Sequence, residues 1–577
     1  MIKLFARSLA AILVLTGAPA LHAQEAASLA ELPFIGSVSA ADPRAEAAGM
    51  AMLKQGGSAT DAAIATMLAL TVVEPQSSGI GGGGFLVRGA ADGSVETVDG
   101  RETAPMGATP DWFLNADGSV PPFMDSVLSG LSVGVPGNIA LAAEAHARHG
   151  KLTWATLFEP AIELARDGFA INVRLAQSLA QSRDRAAASE GGRALFYDEE
   201  GRPLPAGTLV RNPELAQVFE AIARSGPEAF YRGPIAREIA ETVASETPRP
   251  APLTGADIAR YEAKIRDGVC GVYRGYRICG MGPPSSGGVA VLQILGQLER
   301  FDLRALGLGN PVTWHLFLES QRLAYADREL YIADSDFVSV PVAGLLDPAY
   351  LAERSALIAP DRTMAEAQPG MPRGVQTALA DGDEAEEHGT SHIAAVDAGG
   401  TMISYTSTIE GAFGSGLTTN GFYLNNELTD FSRSPMVDGK QVANRVEPGK
   451  RPRSSMAPTV VFDPEGRPVL AIGAAGGSTI PVTTARAIIG AIDFDLSARE
   501  ALALPFTMAF GDTVMVEQGT WLERRIPALQ ALGHAEISVR EAPVKAGAIK
   551  REGAIWEAAR DPRLVDVLLV PRATPLP

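Results

Sequence analysis

One stretch constrains this chain more than any other: a run of acidic residues that ends at a threonine and continues into two strand-like segments. Residues 371–387 are rich in aspartate and glutamate and poor in apolar side chains. Such a run cannot bury much apolar surface, so we expect it to be exposed and mobile. Ile393 to Asp397 and Thr401 to about Thr408 then predict two strands, with Ala398-Gly399-Gly400 as the turn between them.

Thr390 stands where the acidic run meets the first strand. If the turn has three residues, Thr390 lies directly opposite Thr408. Two hydroxyls on a directly opposed pair are close enough to hydrogen-bond. A two-residue turn would shift this pairing by one residue.

Two interpretations of Thr390 are open from this stretch. Thr390 is simply the start of a strand, or the chain is cut between Gly389 and Thr390 so that the threonine becomes a new N-terminus. A free α-amine has a pKa of about 7.7–8.0, so it can act as the general base for the hydroxyl of its own residue. The second interpretation makes Thr390 a nucleophile.

The start of the chain predicts export. Within residues 1–23, Lys3 and Arg7 precede an apolar run, and Ala20-Leu21-His22-Ala23 follows as a small-residue cleavage site. This pattern is typical of a cleaved secretory signal, so we expect a soluble mature protein, periplasmic or secreted, without a membrane anchor. The net charge of −18 disfavours nucleic acid and anionic membranes as partners.

An exported protein can hold disulfides. Cys270 and Cys279, the two cysteines of the chain, flank a segment that predicts a hairpin with Arg274-Gly275 as its turn. With that two-residue turn the cysteines face each other, at a pair where the strands are closest. A disulfide and two buried thiols are both open.

Three short motifs suggest other chemistry. Residues 79–84 match a dinucleotide-binding fingerprint, but a predicted helix precedes them and a strand follows, the reverse of what that motif needs. Gly130-Leu131-Ser132-Val133-Gly134 matches the nucleophile elbow of serine hydrolases, but Pro136 and Gly137 interrupt the helix that must follow. His146 and His149 have metal-capable spacing on a helix without a third ligand nearby. We therefore predict no nicotinamide cofactor and no metal, and keep Ser132 as a weak alternative nucleophile.

Helices and short strands alternate along the chain, which predicts a layered α/β architecture. The predicted helices are Pro43–Gln55, Ser58–Val73, Trp154–Asp167, Arg174–Arg185, Pro213–Ser225, Val289–Arg300 and Val312–Tyr331. Near the C-terminal end, the strand Val469–Ile472 runs into Gly473-Ala474-Ala475-Gly476-Gly477-Ser478-Thr479 before a helix near Pro481. Backbone N–H groups that converge at a helix start suit an anion, and here an oxyanion hole fits better than a phosphate site.

Taken together, these motifs resemble the γ-glutamyltransferases (γ-glutamyl transpeptidases), which are N-terminal nucleophile hydrolases. The resemblance covers nearly the whole mature chain. The stretches that carry it are Gly81–Phe85, Asp99–Pro105, Pro283–Gly288, Gly389–Asp397, Leu424–Phe431, Arg451–Thr459 and Gly476–Ser478.

The resemblance implies a precursor that cuts itself before Thr390. The two subunits, residues 24–389 and 390–577, would stay interleaved in one four-layer αββα sandwich, with residues 371–389 as the exposed end of the large one. The reaction implied is attack on a γ-glutamyl amide such as glutathione, followed by transfer to water, an amino acid or a peptide, without a cofactor.

The resemblance also implies a role for each site residue. Thr390 would be the nucleophile and Thr408 its hydroxyl partner, and Gly476 and Gly477 would supply the oxyanion N–H groups. The remaining site residues would bind the substrate: Arg101, Ser454 and Ser455 its α-carboxylate, and Asp430, with Glu427 and Glu410 nearby, its α-ammonium.

The chain departs from the family pattern at Glu410, where many members carry asparagine, and in the short loop between Asp430 and Ser454. Three functions are therefore carried forward. The first is γ-glutamyl transfer or hydrolysis, the second a cephalosporin- or glutaryl-type acylase with the same machinery, and the third an uncleaved, inactive binding protein.

Overall fold

Strand pairing organises the molecule into two large antiparallel sheets. The computed structural model describes residues 34–375, 380–382, 389–565 and 567–569. The predicted signal segment, and most of the acidic residues of the predicted linker, lie outside these ranges.

The strands of the described residues, in chain order, are β1 (Gly36–Ala40), β2 (Gly83–Gly89), β3 (Val95–Gly100), β4 (Phe169–Ala170), β5 (Leu209–Val210), β6 (Lys264–Arg266), β7 (Val269–Tyr273), β8 (Tyr276–Gly280), β9 (Ser391–Asp397), β10 (Met402–Thr408), β11 (Thr418–Thr419), β12 (Phe422–Tyr423), β13 (Met436–Val437), β14 (Lys440–Gln441), β15 (Thr459–Phe462), β16 (Pro468–Ala475), β17 (Thr507–Phe510), β18 (Thr513–Glu517), β19 (Glu536–Arg540), β20 (Lys545–Glu552) and β21 (Ile555–Arg560).

The α-helices of the described residues are α1 (Pro43–Lys54), α2 (Ala59–Val73), α3 (Phe123–Val127), α4 (Asn138–His149), α5 (Glu159–Asp167), α6 (Val173–Gln181), α7 (Arg183–Ala186), α8 (Glu190–Phe196), α9 (Pro213–Ser225), α10 (Glu228–Tyr231), α11 (Pro234–Ser245), α12 (Gly255–Ala259), α13 (Gly287–Leu298), α14 (Leu303–Leu306), α15 (Pro311–Tyr331), α16 (Val342–Leu345), α17 (Pro348–Ala356), α18 (Ile480–Asp493), α19 (Ala498–Leu502) and α20 (Ile526–Ala531).

The two six-stranded sheets form the centre of a four-layer αββα sandwich. The first has the order β1-β9-β10-β2-β3-β6 and the second β21-β20-β16-β15-β8-β7. They face each other through β9, β10, β16 and β20, while α1, α2 and α4 cover the first sheet and α13, α18 and α19 the second. The layered α/β prediction is therefore confirmed as this sandwich, in the form that the family resemblance implied.

Helix α2 is the most deeply buried element of the first outer layer. Its sequence offers no polar face, and every one of its residues is buried. A capping box closes its N-terminus, with the Ser58 hydroxyl accepting from the Asp61 N–H and the Asp61 carboxylate accepting from the Ser58 N–H. Its C-terminal end leads directly to the turn that contacts Thr390.

The β9–β10 hairpin has the register predicted for a three-residue turn. Met402 pairs with Val396 and Ser407 with Ser391, so the next residues outward on each strand are Thr390 and Thr408. β9 also pairs with β1, and β10 with β2. The start of β9 is therefore held in the middle of a sheet rather than at an exposed edge.

Two predicted helices are each interrupted. The predicted helix Trp154–Asp167 is a 3-10 turn, Trp154–Phe158, followed by α5, because Pro160 in the first turn of α5 favours a new helix start. The predicted helix Arg174–Arg185 divides at Ser182 into α6 and α7. Among the described residues no helix combines the length and the apolar character needed to cross a membrane.

Candidate active site

Thr390 and Thr408 meet at the open end of the β9–β10 hairpin. Their Oγ1 atoms lie 3.0 Å apart, and both residues are buried. The Glu410 N–H donates to Thr408 Oγ1 at 2.8 Å, which fixes the orientation of that hydroxyl. The predicted pair of threonines is therefore brought together, with a backbone donor behind it.

The backbone around Thr390 is strained. Thr390 has φ of 90° and Glu410 has φ of 71°, a region that residues with a Cβ seldom occupy. A side chain on Gly389 would collide with the Glu410 carbonyl group, so glycine is required before the threonine. The Thr390 N–H donates to the Ser77 carbonyl at 2.8 Å. Strain of this kind concentrates at functional sites.

A cavity of about 700 Å³ opens over this pair. Of the residues expected from the sequence to form a site, eight line it: Arg101, Thr390, Thr408, Glu410, Asp430, Ser454, Ser455 and Gly477. Asp381 and Gly382, from the segment that precedes Thr390, also contribute to its wall. One cavity therefore joins the threonine pair, the charged residues and the glycine loop.

The glycine loop follows β16 and precedes α18, as expected. Gly476 has φ of 132° and Gly477 has φ of 57°, values that only glycine adopts without strain. A short 3-10 turn, Gly477–Thr479, then leads into α18. Gly477 lines the cavity, whereas Gly476, the residue before it, does not.

Arg101 is buried rather than exposed at the surface. Its side chain is 1% exposed and pairs with Glu427 and with Asp430. Its Nε donates to the Pro452 carbonyl at 3.2 Å, and one Nη donates to the Arg453 carbonyl at 2.9 Å. Arg101 therefore pairs with two of the carboxylates expected at the α-ammonium, and its single positive charge balances one of them.

The acidic residues around Arg101 differ in access. Glu427 is fully buried behind the cavity wall, whereas the side chain of Asp430 is 19% exposed and lines the cavity. Glu102 lies 4.0 Å from an Arg101 Nη, and burial raises the pKa of its carboxyl to about 8. Glu102 therefore carries a proton near neutral pH, and the sequence analysis did not single it out.

Within the described part of the chain, two groups of side chains have spacing that a metal ion could use. Oxygens of Glu410, Glu427 and Asp430 lie within 4.8 Å of one another. Arg101 forms ion pairs with two of these carboxylates, so a cationic side chain is already in contact with this group.

His315, Glu319 and His534 form the second group. Here the two imidazoles hydrogen-bond to each other at 2.9 Å, and Glu319 is held by Arg322 and by the Met364 N–H. Protein donors and acceptors thus satisfy the group from within. We assign a metal to neither group.

Ser454 and Ser455 are held by two other segments. The Ser454 N–H donates to the Pro284 carbonyl, and its own carbonyl accepts from the Ser286 N–H at 2.8 Å. Arg328, on α15, donates to Ser455 Oγ at 2.7 Å and to Ser286 Oγ at 2.9 Å. The Pro283–Gly288 stretch therefore holds Ser454 and Arg328 in place through hydrogen bonds.

Sequence reasoning missed the contribution of α15. Six of its residues line the cavity: Arg322, Tyr325, Ala326, Arg328, Glu329 and Leu330. Spacings of three and four residues among them were visible in the sequence. The missing information was which face of the predicted helix meets the cavity, because α15 alternates polar and apolar residues without a clear stripe.

The other motifs have structural explanations. Ser132 is buried and donates to the carbonyls of Val127 and Ser129, outside the cavity lining, so the serine alternative is set aside. A Cβ on Gly81 would collide with the Tyr423 carbonyl and one on Gly82 with the Thr408 carbonyl, so the glycines allow these segments to approach closely.

The two remaining sequence questions are settled by local contacts. His146 and His149 contact the Leu152 carbonyl and Glu96, respectively. Cys270 and Cys279 are paired across β7 and β8 and form the disulfide. Of the two states left open for the cysteines, the bridged one is therefore observed.

Comparison with known proteins gives a consistent picture. A sequence model of the family described as Gamma-glutamyltranspeptidase matches residues 45–569. The glutathione hydrolase proenzyme of Bacillus subtilis (strain 168) is 37% identical over 481 residues, 82% of this chain and 80% of that protein. The glutathione hydrolase proenzyme of Escherichia coli (strain K12) is 36% identical over 549 residues, 92% of this chain and 91% of that protein. Among solved structures, a cephalosporin acylase from Bacillus halodurans superposes with a TM-score of 0.80 at 28% identity, covering 92% of this chain and 95% of that one.

Proposed function

The chain belongs to the gamma-glutamyltranspeptidase family, and from that premise we propose that it is a self-processing hydrolase and transferase of γ-glutamyl amides, glutathione among them. Cleavage of the Gly389–Thr390 bond makes Thr390 the N-terminal nucleophile. The observation that carries this proposal is the buried pair of hydroxyls, Thr390 and Thr408, 3.0 Å apart in the wall of the cavity.

The proposed chemistry uses groups of the chain alone, without a cofactor. The freed α-amine of Thr390 takes the proton from its own Oγ1, which attacks the γ-carbonyl carbon of the substrate. The backbone N–H groups of Gly476 and Gly477 stabilise the negative oxygen that forms. As the C–N bond breaks, the leaving amine takes the proton held by the α-amine, and an ester on Thr390 remains. Water or the amine of an amino acid or peptide then attacks this ester and gives a proton to the α-amine. The ester C–O bond breaks, Thr390 Oγ1 takes that proton back, and glutamate or a new γ-glutamyl amide leaves.

Thr408 has a defined part in this scheme. Its Oγ1 accepts from the Glu410 N–H, so its own proton is free to point towards Thr390 Oγ1. A hydroxyl donor beside the nucleophile stabilises negative charge on that oxygen as the ester breaks down. The hydrogen bonds of Thr408 therefore support a role as hydroxyl partner rather than as a second nucleophile.

The two charged groups on the α-carbon of the substrate meet opposite charges. Arg101, Ser454 and Ser455 bind the α-carboxylate, and Asp430, Glu427 and Glu410 attract the α-ammonium. Arg101 brings one positive charge against the two negative charges of Glu427 and Asp430, so one negative charge remains in this pair of contacts. A positive group in the substrate compensates such an excess, which supports a substrate with an α-amine.

The acylase of Bacillus halodurans, with its TM-score of 0.80, favours a second candidate, an amidase for acyl groups that lack the α-amine. The two readings differ in one measurable ratio, the kcat/KM for a γ-glutamyl-anilide against that for a glutaryl-anilide. We expect the γ-glutamyl substrate to be clearly preferred, and Asp430→Asn to lose this preference. Equal or better turnover of the glutaryl compound would promote the acylase.

The proposal includes the maturation of the chain. Residues 1–23 act as the signal that directs the protein to the periplasm or outside the cell. The mature enzyme is then a pair of subunits, residues 24–389 and 390–577, each the partner of the other. Residues 371–389 are the end of the large subunit that the cut releases.

Thr390→Ala is the direct test of the proposal. We expect this variant to stay a single chain without activity, whereas the unmodified protein yields two bands, the smaller beginning Thr-Ser-His. Thr401→Ala, at the turn end of the same hairpin and away from the cavity, is the matched control and should cleave and react normally. A fully active, uncut single chain would overturn the proposal and leave the uncleaved binding protein as the function to consider.

A further inference from the structure

A buried charged cluster lies beside Thr390, and the chemistry above does not use it. Glu74, just after α2, accepts hydrogen bonds from Ser391 Oγ at 2.6 Å and from Lys545 Nζ at 3.2 Å. Its other oxygen pairs with Arg174. Glu74 is fully buried, and Lys545, the first residue of β20, is 6% exposed.

Lys545 connects the residue that holds the Thr390 nitrogen with the residue that follows Thr390 in the chain. Its Nζ lies 3.2 Å from Ser77 Oγ and 3.3 Å from Ser391 Oγ. Ser77 is the residue whose carbonyl accepts the Thr390 N–H, and Ser391 follows Thr390 directly. A single amine thus links the hydrogen-bond acceptor of the nucleophile's nitrogen to the strand that carries the nucleophile.

Stability does not account for a lysine at this place. Burying an ammonium group carries a large desolvation penalty, and well-packed apolar residues often replace buried ion pairs at no cost. Here Lys545 and Arg174 share one carboxylate, that of Glu74. Burial and the like charge of Arg174 hold the pKa of Lys545 well below its ordinary value. A buried lysine whose charged form is disfavoured in this way is expected to have a role other than packing.

We propose that Lys545 is a positioning residue for the N-terminal threonine, acting through Ser77 and Ser391. The inference rests on the proposed function. Once the chain is cut, the α-amine of Thr390 rotates freely about its N–Cα bond unless one of its hydrogens is held. The Ser77 carbonyl takes that hydrogen, and the lone pair then points towards Thr390 Oγ1. Lys545 keeps Ser77 and Ser391 at the fixed separation that this geometry needs.

The test compares two lysines on the same strand. In fully cleaved protein, Lys545→Met should lower kcat by at least about tenfold, the effect of a misdirected catalytic base, with KM for a γ-glutamyl-anilide unchanged because Lys545 does not line the cavity. Lys550→Met is the matched control. Lys550 bonds the Leu496 carbonyl and Glu552, away from the site, and its loss should leave both constants unchanged.

Ser77→Ala is the second variant, and it decides the question if Lys545→Met does not fold. It removes the hydroxyl that Lys545 contacts but keeps the carbonyl that holds Thr390, so kcat should again fall with KM constant. The inference would be overturned if Ser77→Ala has a normal kcat and Lys545→Met also has a normal kcat. It would equally be overturned if Ser77→Ala has a normal kcat and Lys545→Met gives no soluble protein.

Parallel changes of kcat, KM and melting temperature would likewise reduce Lys545 to a packing residue. These results are distinct from failure of the proposed function, which would appear as activity that survives Thr390→Ala. In that case the Lys545 role falls with it.

Discussion

Arg101 carries its charge in a place with little access to solvent. Four contacts hold its guanidinium: two carboxylates and two backbone carbonyls. A lysine would keep the charge but lacks the planar fork that makes these contacts together. The consequences of Arg101→Lys therefore extend from the cavity to the buried ion pairs behind it.

We expect Arg101→Lys to weaken substrate binding by about 1.5–3 kcal/mol, the range for hydrogen bonds to charged groups. This corresponds to a rise in KM of about 12- to 150-fold. The melting temperature should fall as well, because Glu427 loses the guanidinium that pairs with it. Self-cleavage should continue, since it needs no substrate. Arg148→Lys, an exposed pair with Glu96, serves as the control. Unchanged kinetics in Arg101→Lys would show that Arg101 has only a structural role.

Glu102 gives the site a pH dependence of stability. No donor among the described residues reaches either of its carboxylate oxygens with good hydrogen-bond geometry, and burial raises its pKa from 4.5 to about 8. Between these two pH values the folded state holds a proton that the unfolded chain has released. Stability therefore falls as pH rises through this window, by about 1.4 kcal/mol for each unit of pKa difference.

Glu102→Gln removes this dependence, since the amide does not titrate. The melting temperature of the variant minus that of the unmodified protein should therefore increase from pH 5 to pH 8 and stay level outside this range. Scanning calorimetry at several pH values measures the difference. A difference that does not vary with pH would mean that Glu102 ionises normally in the folded protein.

The threonine pair was predictable from sequence because its two residues are close along the chain. The contacts of the other site residues were not predictable, because their partners are far apart along the chain. Thr390 and Thr408 are joined by one short hairpin, so turn length alone sets their pairing. Arg101 and Glu427 are 326 positions apart, and Lys545 and Glu74 are 471 apart. No periodicity or motif relates such residues, because their contact depends on how two sheets stack.

At the level of elements, boundaries followed from strong local signals. α9 was predicted over the range it occupies, because Asn212 caps it, Pro213 begins it and Gly226 ends it. α15 was placed correctly to within one residue, but its cavity face was not identified. A helix in contact with both core and cavity has no single apolar stripe from which its orientation could be read.

The β7–β8 hairpin carries the disulfide at the edge of the second sheet. Cys270 is exposed and therefore accessible to reductant, while Cys279 is buried. Because the bridge closes a loop with a sequence separation of only 9, its entropic contribution is about 2.7 kcal/mol. Spread over a protein of this size, that is about 2 °C in melting temperature.

We expect the double variant Cys270→Ser/Cys279→Ser to melt about 2 °C lower than the unmodified protein, with unchanged kinetics since the bridge does not line the cavity. A reductant should lower the melting temperature of the unmodified protein by the same amount and leave the variant unaffected. An equal response of both proteins to reductant would show that the bridge does not form in solution.

At the scale of the whole molecule, the proposed cut divides the chain but not the sheets. β9 and β10, after the cut, lie between β1 and β2, before it. In the second sheet, β15 pairs with β8 across the same division. The core between the sheets therefore belongs to both pieces, and neither piece contains a complete six-stranded sheet.

This topology predicts that the two pieces cannot part while the protein is folded. Cleavage of one peptide bond removes none of the strand pairs between them, and the contacts of Arg101 with Glu427 and Asp430 also cross the division. Cleaved protein should elute as one species on a native sizing column, and about 1 M salt should not separate it because buried pairs are poorly screened. The pieces should separate only in denaturant, with loss of activity. Release of a folded fragment beginning at Thr390 under native conditions would contradict the interleaved sheets.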